Sequence, residues 1–119
     1  MKYPEDHTPD PSCETEDHQG QLGNLLSEEA CQQAATIFSV LGDPNRLRLL
    51  GLLVNQELCV TEIADALNDN LPAVSQRLKL LRSERIVNYR RQGKHVYYRL
   101  DDEHIVQLVQ NGLAHAEHH

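Results

Sequence analysis

Apolar residues follow a helical rhythm over most of the chain, then change to a strand rhythm, then return to a helical one. Residues 1–24 follow neither; they are polar and rich in Pro, Asp and Glu, which predicts a flexible N-terminal arm. The folded domain is expected over residues 25–119. Its first helix is predicted to start after Ser27, an N-cap followed by Glu28 and Glu29, whose charges suit the positive end of a helix. It runs through Cys31, Ala34, Ala35 and Phe38 to about Leu41. DPNRLRLLGLL restarts the pattern, with Asp43 as cap, Pro44 at the first helical position and Leu47, Leu50 and Leu53 or Val54 as the apolar stripe. TEIADAL reads as a short helix capped by Thr61 with Ile63, Ala64 and Leu67 inward.

Asn68-Asp69-Asn70 reads as a turn. Asn68 tolerates the left-handed conformation that ends many helices, and Asn70 caps the helix that follows. Pro72 is tolerable only in the first turn of that helix. LPAVSQRLKLLRSER then buries Val74, Leu78 and Leu81 at i, i+4 and i+7 and shows Ser75, Gln76, Lys79 and Arg82 on its other face. IVNYR and HVYYRL, rich in Val, Ile and Tyr around Gln92-Gly93-Lys94, predict a β-hairpin. A last helix begins with Asp101 or Asp102 as its cap. The expected fold is mainly α with a small β-hairpin, in the order ααααββα.

A short helix, a tight turn and a second helix with a polar outer face form a helix-turn-helix, and the hairpin directly after it is a wing. The second helix fits a DNA major groove, which is about 12 Å wide. The net charge of −7 argues against nucleic acid until its distribution is considered. Residues 1–30 hold eight acids and one Lys, whereas residues 71–100 hold eight bases against the single acid Glu84, a local +7. A localised basic patch is what binds phosphate. The candidate DNA contacts are Ser75, Gln76, Arg77, Lys79 and Arg82 on the second helix and Arg90, Arg91 and Lys94 on the wing.

At 119 residues the chain has room for one modest core. With no apolar stretch at the N-terminus and no run near 20 apolar residues, neither a signal peptide nor a membrane span is expected, and the expected compartment is the cytoplasm. Cys13, Cys31 and Cys59 are an odd number without framework spacing, which points to free thiols or metal ligands.

The C-terminal run DDEHIVQLVQNGLAHAEHH holds Asp102, His104, His115 and His118, and the three histidines share one helical stripe. Helical phase favours His118 over His119. His104 and His115 are eleven residues apart, about 16 Å along a helix, whereas zinc–nitrogen bonds are only about 2.0–2.1 Å. One helix cannot close this site. Two copies running antiparallel can, with Asp102 and His104 of one meeting His115 and His118 of the other, twice by symmetry. The run therefore predicts a metal and a homodimer together. The N/O ligand set suits Zn(II), with Co(II) as a possible substitute.

The phrases DPNRLRLL, ELCV, AVSQRLKLLR and GKHVYYRL, together with the DDEHIVQL that follows, resemble the ArsR/SmtB family of metal-responsive bacterial repressors over about residues 30–118. The resemblance implies a homodimeric winged helix joined through its first and last helices, whose hold on operator DNA weakens when metal binds. It also implies that Asp102, His104, His115 and His118 match the last-helix site of the family's zinc sensors. A second family site joins the start of the helix-turn-helix to the N-terminal arm; its counterparts here are Cys59, Glu62, Cys13 and His18. The second cysteine of the thiol-rich sensors is replaced by Thr61, which favours mixed ligands over a thiolate-rich cadmium or lead site. Cys31 matches no ligand position and is expected in the core. Gln76 stands where His is common, and Asp69 stands where the turn is usually apolar.

The expected mechanism is that zinc locks the terminal helices of two copies so that their reading helices no longer match successive major grooves. Two alternatives remain: a thiol-based repressor (redox, arsenical, or cadmium and lead) using Cys13 and Cys59, and a metal-independent winged-helix repressor. An enzyme is not expected. A catalytic zinc needs an open ligand position, four ligands at a helix seam close it, and no nucleophile–base pair stands out.

Overall fold

Each helix begins where a side chain satisfies backbone N–H groups that the first turn leaves unpaired. The computed structural model describes residues 27–118, so the expected arm, Cys13, His18 and His119 lie outside the described residues. The described elements are α1 (Glu28–Leu41), α2 (Pro44–Leu52), β1 (Leu58–Cys59), α3 (Val60–Leu67), α4 (Leu71–Ser83), β2 (Val87–Gln92), β3 (His95–Leu100) and α5 (Glu103–Glu117). Ser27 Oγ accepts from Ala30 N–H (3.2 Å), Asp43 from Arg46 N–H (3.0 Å), Asn70 from Ala73 N–H (2.8 Å) and Asp102 from Ile105 N–H (3.0 Å). Of the two candidate caps for the last helix, Asp102 is the one used.

The start of α3 differs from expectation. Cys59, not Thr61, is the N-cap, and Glu62 Oε1 accepts the Cys59 N–H at 2.9 Å. The helix starts earlier because Leu58–Cys59 pairs with β3, opposite Tyr98 and Tyr97, and delivers extended backbone directly into the helix. This two-residue strand adds a third member to the sheet, whose order is β1-β3-β2. The element order is therefore ααβααββα, a winged helix-turn-helix with one strand more than the sequence suggested.

The turns follow the residues' conformational limits. Asn68 ends α3 in the left-handed region (φ 53°). In the hairpin, Gln92 faces His95, so Gly93-Lys94 is a two-residue turn with positive φ at Gly93 (63°). That is the pattern of a type II′ turn, which matches the twist of the flanking strands.

The chain divides into two units, Met1–Ala35 and Thr36–His119. The described part of the first, residues 27–35, is exposed throughout, so Cys31 is at the surface and not in the core as expected. Of α1 only Val40 and Leu41 are buried. The second unit holds the core: Leu49 and Leu50 from α2 with Leu53 at its C-cap, Ile63 and Ala64 from α3, Val74, Leu78 and Leu81 from α4, Val87 and Leu100 from the hairpin, and Ile105 and Val109 from α5. On α2, Leu49 and Leu50 are the fully buried pair, while Leu47 is half-buried. Arg46 Nη1 donates to Val40 C=O at 2.9 Å, tying the start of α2 to the end of α1. No helix among the described residues is long and apolar enough to cross a membrane.

Leu81 has no exposed surface, so Leu81→Ala is expected to destabilise the protein by about 2–5 kcal/mol. Urea unfolding at fixed protein concentration checks this; a loss under about 1 kcal/mol would mean that α4 is not anchored as described.

Candidate functional site

The face of α4 opposite its core stripe carries Ser75, Gln76, Lys79 and Arg82, all exposed. The wing continues this surface because strand residues alternate between faces. Tyr89 and Tyr98 face each other across β2 and β3 with ring centroids 5.9 Å apart, and the Arg82 guanidinium lies 4.0 Å above the Tyr89 ring. The wing is thus stacked against α4 through a cation–π contact. Between them lies a groove of about 560 Å³ lined by Ser75, Leu78, Lys79, Arg82, Ser83 and Tyr98. Arg91 and Lys94 are exposed towards the hairpin tip.

Two of the candidate DNA contacts sit differently. Arg90 is on the other face of the hairpin, where its Nε donates to Glu57 at 2.8 Å and its guanidinium lies 5.1 Å from the Tyr97 ring centroid. Glu57 also pairs with Arg99 at 3.6 Å. Arg77 is half-buried, and its Nη1 reaches back to Asp69 Oδ2 in the turn at 2.6 Å. Asp69 also accepts the Asn70 N–H at 2.8 Å. The Arg77 hydrogen bond first, then the Asn70 N–H, and more weakly the charges of Arg77 and Arg48 hold the Asp69 carboxyl below its usual range. It is therefore ionised at neutral pH, and the pair would be lost only as pH falls through that lowered value. The supporting residues Glu57, Tyr89 and Tyr98 were not singled out from the sequence. The alternation of IVNYR and HVYYRL places the two tyrosines on one face once the register is known.

The histidine run forms α5 as expected, except that the helix ends at Glu117 and His118 is its C-cap. Asp102 and His104 converge: Asp102 uses Oδ1 as the helix cap, and its Oδ2 lies 3.8 Å from His104 Nδ1. Two ligands of one tetrahedral zinc sit about 3.3 Å apart, given bonds of about 2.0–2.1 Å. His104 is 95 % and Asp102 53 % exposed, so both are open to a second molecule. His115 and His118 are exposed at the other end of α5. Among the described residues no group of three or more His, Cys, Asp or Glu is placed to hold a metal ion within one chain. The donor chemistry of these residues fits zinc.

Cys59 and Glu62 lie together at the start of α3. The Cys59 N–H first, and then its thiol, hydrogen-bond to the Glu62 carboxylate and lower its pKa. Their expected arm partners, Cys13 and His18, lie outside the described residues.

Comparison with known proteins identifies the fold and the family. The pattern of the bacterial regulatory protein arsR family matches residues 43–89, from the cap of α2 into β2. The chain is 45% identical over 93 residues to a "Transcriptional repressor SmtB homolog" of Synechocystis, covering 78% of this chain and 70% of that protein. It is 35% identical over 101 residues to a "Cadmium resistance transcriptional regulatory protein CadC homolog" of Staphylococcus aureus, covering 84% of each. A solved homodimeric winged helix-turn-helix DNA-binding domain from Mycobacterium bovis superposes with a TM-score of 0.70 at 33% identity, covering 78% of this chain and 88% of that one. The chain therefore belongs to the ArsR/SmtB family of metal-responsive transcriptional repressors, and is a DNA-binding regulator and not an enzyme.

Proposed function

We propose that this protein is a zinc-responsive repressor that holds operator DNA as a homodimer and releases it when zinc binds between the α5 helices of two copies. The observation that carries this reading is the convergence of Asp102 Oδ2 and His104 Nδ1 at one end of α5, with His115 and His118 exposed at the other. Asp102 and His104 of one copy, with His115 and His118 of the other, supply a full N/O ligand set. Zinc bound there would cross-link the two helices. Support for a dimer also comes from the homodimeric M. bovis neighbour, and support for metal sensing from the names of the SmtB and CadC relatives.

On DNA, Ser75, Gln76, Lys79 and Arg82 of α4 enter the major groove, and Arg91 and Lys94 of the wing meet the backbone. The ligands lie on α5 and not on α4, so metal acts by changing how two α4 helices are spaced. Half-sites for such dimers lie about one helical turn apart, so a change in separation costs binding. The coupling is reciprocal: DNA lowers zinc affinity by the factor by which zinc lowers DNA affinity.

Two measurements test this reading. Operator release titrated with zinc is expected to need more than about 10-fold higher free zinc in His104→Ala and in His115→Ala, since even outer-sphere partners of a metal site are worth 10–100-fold. Release at unchanged zinc in both variants would overturn the α5 site. Cys59, half-buried against Glu62, favours a thiol-based sensor as the second reading. Alkylation of the thiols separates the two, because an α5 sensor keeps its zinc response and a thiol sensor loses it. Metal stoichiometry adds that two ions per dimer indicate α5 alone, and four bring in the Cys59 site. For DNA, Lys79→Ala is expected to make the plot of log affinity against log salt shallower by about 0.9, the loss of one phosphate contact. An unchanged slope would remove Lys79 from the interface.

A further inference from the structure

The turn of the helix-turn-helix carries an acid at the end of α4 that meets DNA. A carboxylate there repels phosphates, and Asp69 is ionised at neutral pH. Its Oδ2 is met at 2.6 Å by the Nη1 of Arg77, whose side chain runs back along α4 from eight residues further on. Both side chains are half-buried, 22% exposed for Arg77 and 29% for Asp69. By helical phase, at about 100° per residue, Arg77 projects well away from the stripe of Ser75, Lys79 and Arg82. Arg48 of α2 also acts on the Asp69 carboxylate, so a second cation stands nearby.

We propose that Arg77 does not touch DNA but cancels the charge of Asp69, and that this pair lets the N-terminal end of α4 approach the phosphate backbone. The inference rests on the reading that α4 is the DNA-facing helix. Asp69 also fixes the turn locally, since its other oxygen accepts the Asn70 N–H and Asn70 in turn caps α4. Arg77 is thus a positioning and charge-masking residue, and the basic surface of α4 consists of Lys79 and Arg82.

A charge-masking role predicts rescue. Operator affinity is measured for Arg77→Ala, Asp69→Asn and the double variant, with folding checked by circular dichroism. Arg77→Ala exposes the bare carboxylate and is expected to weaken operator binding by at least about threefold. Adding Asp69→Asn to it is expected to restore affinity to within about twofold of wild type, the scatter of uncoupled changes. A phosphate contact by Arg77 gives no rescue, because the double variant still lacks the guanidinium, and a purely structural role shows as a loss of fold in the circular dichroism of Arg77→Ala. No rescue, or no loss in Arg77→Ala, overturns the proposal. If Arg77→Ala does not fold, Asp69→Asn alone decides, since its amide oxygen can still accept the Asn70 N–H. It is expected to tighten binding to operator and unrelated duplexes alike, because phosphate contacts carry no sequence information; unchanged or weaker binding overturns the proposal. Lys79→Ala separates the two levels of failure. If it weakens binding while the double variant shows no rescue, only the charge-masking role fails; if it has no effect either, α4 is not the DNA-facing helix.

Discussion

The buried stripe of α4 is the constraint on which the DNA-binding surface depends. Val74, Leu78 and Leu81 have at most 1% of their surface exposed and share one core with Ile63 and Ala64 of α3 and Ile86 and Val87 at the start of the hairpin. Because these residues cannot leave the core without opening cavities, the helix cannot roll about its axis. Ser75, Gln76, Lys79 and Arg82 are therefore held outward by what is packed behind them. The same core receives Val87 and Leu100 from the base of the hairpin, so the wing and the reading helix share one rigid support.

Ion pairing divides the basic segment into working and structural charge. Arg77 is held by Asp69, and Arg90 and Arg99 are held by Glu57 on the far face of the hairpin. Arg82 stacks on Tyr89, which keeps its cation on the side of the groove that also presents Lys79. A local excess of +7 thus yields a smaller set of cations facing one way, with the others fixing the turn and bracing the hairpin. Residues 1–30, with eight acids against one Lys, carry a local charge of −7.

Asp102 joins local structure to the proposed metal site. One carboxylate oxygen caps α5 and the other lies beside His104, so the residue that starts the helix also stands next to the first of the proposed ligands. Metal held there would act on the position of the whole helix, not on a loose side chain. α5 also contributes Ile105 and Val109 to the core shared with α4, so the proposed metal-binding helix and α4 pack into one core.

The sequence by itself determined everything governed by local chemistry. The caps at Ser27, Asp43 and Asn70, the left-handed Asn68, the stripe of Val74, Leu78 and Leu81 and the hairpin about Gly93 all depend on residues within a few positions of one another, whereas the choice of Asp102 over Asp101 as the last cap came from the structure. The convergence of Asp102 and His104 is local in the same way. What only the tertiary structure decided depends on distant partners. β1 is two residues long, too short for any period, and exists because β3 lies beside it. The Arg90–Glu57 pair spans 33 residues, and the Arg77–Asp69 pair reaches across the turn. No period shows either, and both take a cation into an ion pair with a carboxylate. Cys31 looks like a core residue on composition but is exposed, because burial depends on what packs over a face and not on the face alone.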